Sequence, residues 1–103
     1  MKPRLIRTAE EGIKFLTRRP MKLTSDALGI TFIEDTPNVF GEPTYSDWTF
    51  APCLNWVFEY NRLAFVIYTN LDGEYQLDVD RRARPQDVDA FIEWTNGKLN
   101  NNE

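Results

Sequence analysis

Hydrophobic and polar residues alternate along the second half of the chain in a way that predicts three β-strands. Residues 54–60 place their large apolar side chains on one side. Residues 75–80 do the same, and Asp78 and Asp80 are expected to face solvent on the other side. Residues 63–68 are apolar on both faces, as expected of a central strand covered above and below. Two turn signals separate these segments and complete an antiparallel meander: Asn61-Arg62 and Asn70-Leu71-Asp72-Gly73.

Helical spacing of apolar residues predicts one helix on each side of the meander. Thr8 and Glu11 form a capping-box pattern at the start of residues 9–19, and Pro20 ends that segment. Residues 85–96 form the second helix, which Gly97 is expected to cap. The apolar stripe of the first helix comprises Ala9, Ile13 and Leu16, and that of the second comprises Val88, Phe91, Ile92, Thr95 and Leu99.

Shorter signals complete the predicted architecture. Leu5-Ile6 and residues 30–33 favour strands, and residues 24–28 favour one helical turn. Gly12 inside the first helix costs about 1 kcal/mol relative to alanine, and a close approach of helix and sheet would explain it. The sum is an α+β fold, an antiparallel sheet of about four strands with an N-terminal and a C-terminal helix packed on it. Residues 1–103 form a single domain, with frayed ends expected at 1–8 and 98–103.

Composition excludes several chemistries. The chain of 103 residues is 42% hydrophobic and 27% charged, which is typical of a globular domain rather than of a disordered or membrane-spanning protein. It has no histidine, which excludes histidine-based catalysis and imidazole metal sites. Cys53 is the only cysteine, so no disulfide framework is expected, and its best interpretation is a small buried hydrophobe. We expect no metal and no cofactor, and we expect a cytoplasmic location in the producing or host cell.

The charges are unevenly distributed along the chain. Residues 1–22 carry seven basic and two acidic side chains, whereas residues 72–103 carry eight acidic and four basic ones. Arg18 and Arg19 suit the carbonyl end of a helix, but they also make phosphate contact by the basic segment a candidate. The acidic third, including Asp78, offers the opposite alternative, imitation of a nucleic-acid backbone.

Residues 36–52 combine three prolines with four aromatic side chains. Proline cannot donate to a central ladder, so much of this segment is expected to be loop or edge. Its aromatics are either anchors for a partner or a cover for the core, and we expect the outward ones to be Phe40 and Tyr45, with Trp48 facing inward. Because aromatic anchors dominate protein interfaces, all three are candidate contact residues.

Paired carboxylates are the remaining catalytic alternative. Glu59 and either Asp78 or Asp80 would lie close together if their strands were neighbours, as in a glycoside hydrolase. An exposed sheet offers little cleft in which to desolvate such a pair, so we expect no enzymatic activity.

These features predict a small protein-binding module that acts stoichiometrically, as an inhibitor, an immunity protein or an accessory protein. Rigid aromatic anchors and steering charge are what a tight protein binder needs. The alternatives are a nucleic-acid-associated subunit that uses the basic segment, and an acidic nucleic-acid mimic. The sequence does not define the oligomeric state. We expect no role at a membrane. The candidate contact residues are Phe40, Tyr45, Trp48, Asp78, Asp80, Arg18 and Arg19.

Overall fold

The fold is built around one antiparallel sheet. The computed structural model describes residues 2–24, 29–47 and 53–100. Within these ranges, a 3-10 turn (Ile33–Asp35) leads directly into a short helix at Thr36–Phe40. In chain order the helices and strands are β1 (Arg4–Leu5), α1 (Ala9–Leu16), β2 (Met21–Thr24), α2 (Thr36–Phe40), β3 (Tyr45–Asp47), β4 (Cys53–Tyr60), β5 (Leu63–Thr69), β6 (Tyr75–Asp80) and α3 (Pro85–Asn100).

The predicted meander is confirmed as β4, β5 and β6, and the sheet is larger than expected. Its six strands follow the order β1-β4-β5-β6-β2, and β3 also pairs with β4. All pairings are antiparallel. β1 and β3 lie end to end along the outer edge of β4, opposite residues 58–59 and 53–55 respectively. The expected four strands are therefore corrected to six, in an α+β fold with three helices.

The turn between β4 and β5 fixes the register of the meander. Asn61 and Arg62 both have positive φ, 53° and 65°, which is the backbone geometry of a two-residue hairpin turn that follows the natural twist of the strands. Tyr60 therefore lies opposite Leu63, and each earlier residue of β4 pairs with a later one of β5. This register decides which side chains share a face.

One face of the sheet carries the main core. Helix α3 buries Phe91 and Leu99 against apolar side chains from the three meander strands. The Phe91 ring stacks on that of Phe65, with 4.4 Å between ring centroids. Phe58 meets Phe91 edge to face at 5.3 Å, an arrangement that aromatic quadrupoles favour. The buried residues of the three strands on this face are Trp56, Phe58, Phe65, Ile67, Leu77 and Val79.

On the opposite face, the described residues form a second and smaller core. Ile6, Val57 and Val66 form a small second core there, against which Phe15 and Leu16 of α1 pack. Helix α1 is eight residues long, too short to span the sheet. The rest of this face is described below as a candidate site. None of the helices in the described ranges is long and apolar enough to cross a bilayer.

The hydroxyl of Thr44 joins β1, β3 and β4 where the two edge strands meet. It accepts a hydrogen bond from the Val57 amide at 2.9 Å and donates one to the Ile6 carbonyl at 2.6 Å. Thr44 is 5% exposed, so this junction is shielded from water. Without the hydroxyl, the Val57 amide and the Ile6 carbonyl would each lose a hydrogen-bond partner in a buried place. One side chain thereby replaces the ladder contact that the break between β1 and β3 removes.

Gly12 lies where α1 meets this junction. A Cβ atom at Gly12 would lie 2.5 Å from Thr44 Cγ2 and 3.7 Å from Val57 Cγ2. The predicted close approach of helix and sheet is thus confirmed, and it explains why the helix contains a glycine. Gly12 is the buried residue of α1, whereas Ile13, expected in the buried stripe, is 54% exposed.

Other expectations differ from the structure. Helix α1 ends at Leu16 rather than at residue 19. Residues 30–33 do not form a strand, because Phe32 has a left-handed backbone (φ 56°) and the 3-10 turn begins at Ile33. Gly97 does not cap α3, because the buried stripe continues to Leu99 and packing outweighs the low helix propensity of glycine. The helical turn expected at 24–28 lies largely outside the described residues.

The expected frayed ends also carry structure. Within residues 1–8, β1 pairs with β4, and Ile6 is 1% exposed. Within residues 98–103, α3 continues to Asn100. The described parts of these two segments, residues 2–8 and 98–100, contribute apolar side chains to the two cores.

We predict that Gly12→Ala destabilises the fold although alanine favours helix. The added methyl overlaps Thr44 and forces the helix or the junction to shift, which costs about 1–3 kcal/mol. Gly97→Ala is the matched control, since no atom lies within 4 Å of a Cβ there, and we expect it to stabilise by about 0.5–1 kcal/mol. Urea unfolding of the two variants measures both effects, and a Gly12→Ala protein as stable as the wild type would contradict the close approach.

Candidate functional site

Phe40, expected to face outward, lies in the main core. It is 9% exposed, and its ring meets Phe58 edge to face with centroids 5.2 Å apart. The Trp94 ring of α3 is 5.8 Å away. Phe40 sits at the C-terminal end of α2, which brings its side chain over the end of the meander. The expectation of a contact residue is corrected: truncating Phe40 would open a cavity rather than weaken a surface.

Tyr45 and Asp78 lie on the same face of the sheet, with β4 and β5 between their strands. Tyr45 lies on β3 and is half-buried against the second core. Burial raises the pKa of Tyr45, and the charges of Asp47 and of Asp78 on β6 add to this effect. The structure thus places two of the predicted contact residues from separate parts of the chain on one face. Trp48 lies outside the described residues.

A row of polar and aromatic side chains crosses four strands at this place. Tyr45 pairs with Asn55, Asn55 with Tyr68, and Tyr68 with Gln76. In the next row, Leu23 of β2 pairs with Asp78. These six residues, here called the tyrosine face, lie beyond the end of α1 and are half-buried, apart from Leu23, which is 53% exposed.

A shallow cavity of about 360 Å³ opens on this face. It is lined by Tyr45, Asn55, Tyr68 and Gln76, with Asp47 and the turn after β5 at its rim. Its volume is at the lower end of the range for small-molecule pockets. Among the described residues, the side chains of this face are partly exposed.

The tyrosine face is polar but internally bonded. The Tyr68 hydroxyl and the Asp78 carboxylate share a hydrogen bond. Burial raises the pKa of Tyr68 to about 12, and the nearby Asp78 charge adds to this effect. Burial also raises the pKa of Asp78, against the opposing effect of the Tyr68 bond. The Asp78 carboxyl thus shares a face with two phenol groups whose pKa values are raised.

Asp80, expected to face solvent, is fully buried. Its side chain has 0% exposure and accepts hydrogen bonds from the backbone amides of Ala64 (3.2 Å) and Arg82 (3.0 Å). The Arg82 guanidinium binds it twice, at 3.1 and 3.0 Å, and Arg19 Nη1 binds it at 3.0 Å. Burial alone would raise the pKa of Asp80, but these bonds together hold it well below its usual range. Asp80 is thus corrected from a contact residue to a structural ion-pair centre.

Arg19 and Arg82 line a cleft beside α1. The cleft has a volume of about 610 Å³ and is here called the arginine cleft. The Arg19 side chain is 22% exposed; it also binds the carbonyls of Phe15 and Arg62 and lies 4.0 Å from the centroid of the Phe15 ring. The charged residues around the cleft are Arg4, Lys14, Arg18, Arg19 and Arg82 with Glu11 and Glu59.

Arg18 is exposed at the mouth of this cleft. It follows α1 with a left-handed backbone (φ 66°), a conformation that glycine adopts with less strain. Within the described residues its guanidinium has no carboxylate partner, and neither does the ammonium of Lys14. Of the two predicted basic contacts, Arg18 is available, whereas Arg19 is largely committed to the interior.

The predicted carboxylate pair does not form. β5 lies between β4 and β6, so Glu59 is separated from Asp78 and Asp80 by a whole strand. Glu59 instead binds Arg4 at 2.9 Å. Cys53 is half-buried beside the tyrosine face and is unpaired. Among the described residues, no three histidine, cysteine or carboxylate side chains are grouped as a metal site would require.

Comparison with known proteins adds no further constraint. No protein-family model matches the chain, and neither a curated protein nor a solved structure does. The arguments for function therefore depend on the geometry of the two surfaces.

Sequence patterns missed some residues of these surfaces. Asn55 and Tyr68 were derivable, because the predicted turn at Asn61-Arg62 already places them opposite each other. Leu23 was not, because its strand pairs with β6 across more than fifty residues of chain. Arg82 lies two residues after Asp80, and that proximity was a usable signal for an ion pair.

We predict that Asp80→Asn lowers the free energy of unfolding at neutral pH by about 1.5–3 kcal/mol, because hydrogen bonds to a charged group are lost. The pKa of Asp80 is lower in the folded than in the unfolded chain. Its stabilisation is therefore complete above the unfolded pKa, near 4, and is lost as the pH falls further towards the folded pKa.

Urea unfolding between about pH 7 and pH 3 tests this linkage. The stability of Asp80→Asn is expected to fall less steeply with acid than that of the wild type. Asp72→Asn removes an exposed carboxylate and is expected to keep the wild-type slope. Equal acid slopes for Asp80→Asn and the wild type would contradict the role of Asp80.

Proposed function

We propose that this chain is a non-enzymatic binding domain whose tyrosine face takes up a basic segment of a partner protein. The observation that carries the proposal is the row from Tyr45 through Asn55 and Tyr68 to Gln76, which is half-buried across four strands and is continued by Leu23 and Asp78. Tyrosine and exposed leucine supply contact area, and the amide side chains supply hydrogen bonds.

Charge around this face favours a basic partner. Asp78 lies within it, and Asp47 lies at its rim. The turn between β5 and β6, which contributes Leu71 to the same rim, also carries Asp72 and Glu74. Lysine and arginine side chains pair with carboxylates and stack on phenol rings, so both features recognise the same chemistry. The negative end of the domain would also steer such a partner during encounter.

A stoichiometric role agrees with what surrounds the carboxylates. Asp80 and Asp87 are bound by arginines, and Asp78 is bound by Tyr68, so these groups are held in place rather than poised for proton transfer. The class of protein that we propose is an inhibitor, an immunity protein or an accessory protein. Unpaired Cys53 supports action in a reducing compartment, the cytoplasm.

A second candidate function is association with nucleic acid through the basic segment. The observation in its favour is that Arg4, Lys14, Arg18 and Arg19 line one cleft. The acidic-mimic alternative has less support, because the carboxylates of Asp80 and Asp87 are buried against arginines and do not form an exposed row.

We predict that Leu23→Ser weakens binding of the partner while the fold is retained. Affinity capture with the wild type identifies a candidate, and titration of the purified candidate then gives the affinity and the stoichiometry. The expected result is a 1:1 complex whose Kd rises about tenfold or more with Leu23→Ser, the loss typical of an interface anchor. Asp78→Asn is expected to reduce the salt dependence of binding, because a charge pair is removed.

Ile13→Ser is the matched control. Ile13 is as exposed as Leu23, at 54% against 53%, but lies on α1. Both serine variants are expected to stay within about 0.5 kcal/mol of the wild-type stability. Equal weakening by the two variants, or an unchanged Kd with Leu23→Ser, would contradict binding through the tyrosine face.

A further inference from the structure

We propose that the arginine cleft is a second site, which binds a compact anion carrying two or more phosphate charges. The first observation is an excess of positive charge. Five cationic and two carboxylate side chains line the cleft, and Asp80 lies behind it. Each carboxylate therefore has an arginine partner, while Lys14 and Arg18 retain unbalanced charge.

The second observation is that two of the guanidinium groups are fixed in place. Asp80 holds Arg82 through two hydrogen bonds, and Arg19 is held by Asp80 and by two backbone carbonyls. A guanidinium carries five N–H donors, so Arg82 keeps three for a ligand and Arg19 keeps two. Because the groups are already ordered, a bound oxyanion loses less side-chain entropy than it would with mobile arginines.

Helix-end electrostatics do not account for this arrangement. Basic residues commonly satisfy the last carbonyls of a helix, and Arg19 does so through its bond to Phe15. Lys14 and Arg18 make no such bond within the described part of the chain. Arg18 also occupies a strained left-handed position where glycine would be the less costly residue. An anion that binds the free guanidinium gives these positions a common purpose.

The shape and charge of the cleft favour a compact ligand over a polymer. Its volume of about 610 Å³ is in the range of small-molecule sites. Glu11 and Glu59 stand on the wall beside Arg4, so a nucleic-acid strand laid along the cleft would place phosphates against carboxylates. Arg19 covers one face of the Phe15 ring, so that face is not available for stacking a base. The cleft therefore favours a compact ligand that carries phosphate groups.

Calorimetric titration with pyrophosphate at constant ionic strength tests the proposal. The wild type is expected to bind one pyrophosphate. Arg18→Gly is expected to raise the Kd roughly tenfold or more, the effect of losing a charge-assisted contact. Because glycine suits the backbone of Arg18, the melting temperature of this variant is expected to stay equal or rise, which separates lost binding from unfolding.

Lys14→Gln tests a second position, and Lys22→Gln is the charge-matched control on β2, outside the cleft. Weaker binding with Arg18→Gly and Lys14→Gln, but not with Lys22→Gln, would support the proposal. Equal affinity for all variants would overturn it, as would the absence of a saturable heat with the wild type. The same titration with a short single-stranded oligonucleotide distinguishes a compact ligand from nucleic acid. Tighter binding of the oligonucleotide per phosphate group than of pyrophosphate would overturn the proposal of a compact ligand and favour nucleic acid.

Discussion

The Asp80 carboxylate at the end of β6 is the point where three distant parts of the chain converge. It binds the amide at the start of β5, the arginine that follows α1 and the arginine that follows its own strand. A buried charge is tolerated only where such partners surround it. Removing any one partner therefore leaves the buried carboxylate with fewer compensating hydrogen bonds, which destabilises the fold. The same bonds order the wall of the arginine cleft. Stability of the sheet and the geometry of a surface site thus depend on one ionised group.

The short length of α1 limits how much of the second face of the sheet this helix covers. The close contact of Gly12 with Thr44 holds the helix near the β1–β3 junction, and from there it protects Val57 and Val66. Within the described residues, the tyrosine face is left partly exposed, and Tyr68 in it is bonded to Asp78. Carboxylates of the β5–β6 turn lie near this face, whereas the arginines that follow α1 and β6 lie by the opposite turn. The domain therefore presents two surfaces of opposite charge.

Local sequence signals predicted the elements that depend on near neighbours. The N-cap at Thr8, the turn at Asn61-Arg62 and the stripe of α3 each involve residues a few positions apart. The other half of the expected capping box does not form, because the Glu11 carboxylate binds Arg4. Long-range pairing was not predictable in this way, which is why β2 and β3 were missed and the sheet was underestimated. Asp80 shows a further limit, because alternation marks a residue as opposite to the core without revealing that arginines from elsewhere will cover it. Of the six residues of the tyrosine face, the pairing of Asn55 with Tyr68 was derivable from the turn at Asn61-Arg62, whereas the position of Leu23 required the fold.

The separation between β1 and its partner strand has a consequence for the order of folding. The meander closes through short hairpins, whereas the contact of Arg4 with Glu59 spans 55 positions. Closing so long a loop carries a larger entropic penalty than closing a hairpin. The pairing that offsets this penalty forms only when β4 already exists as a template for β1. We therefore expect the amino-terminal strand to dock after the meander has formed, when the Thr44 hydroxyl can bond both Val57 and Ile6.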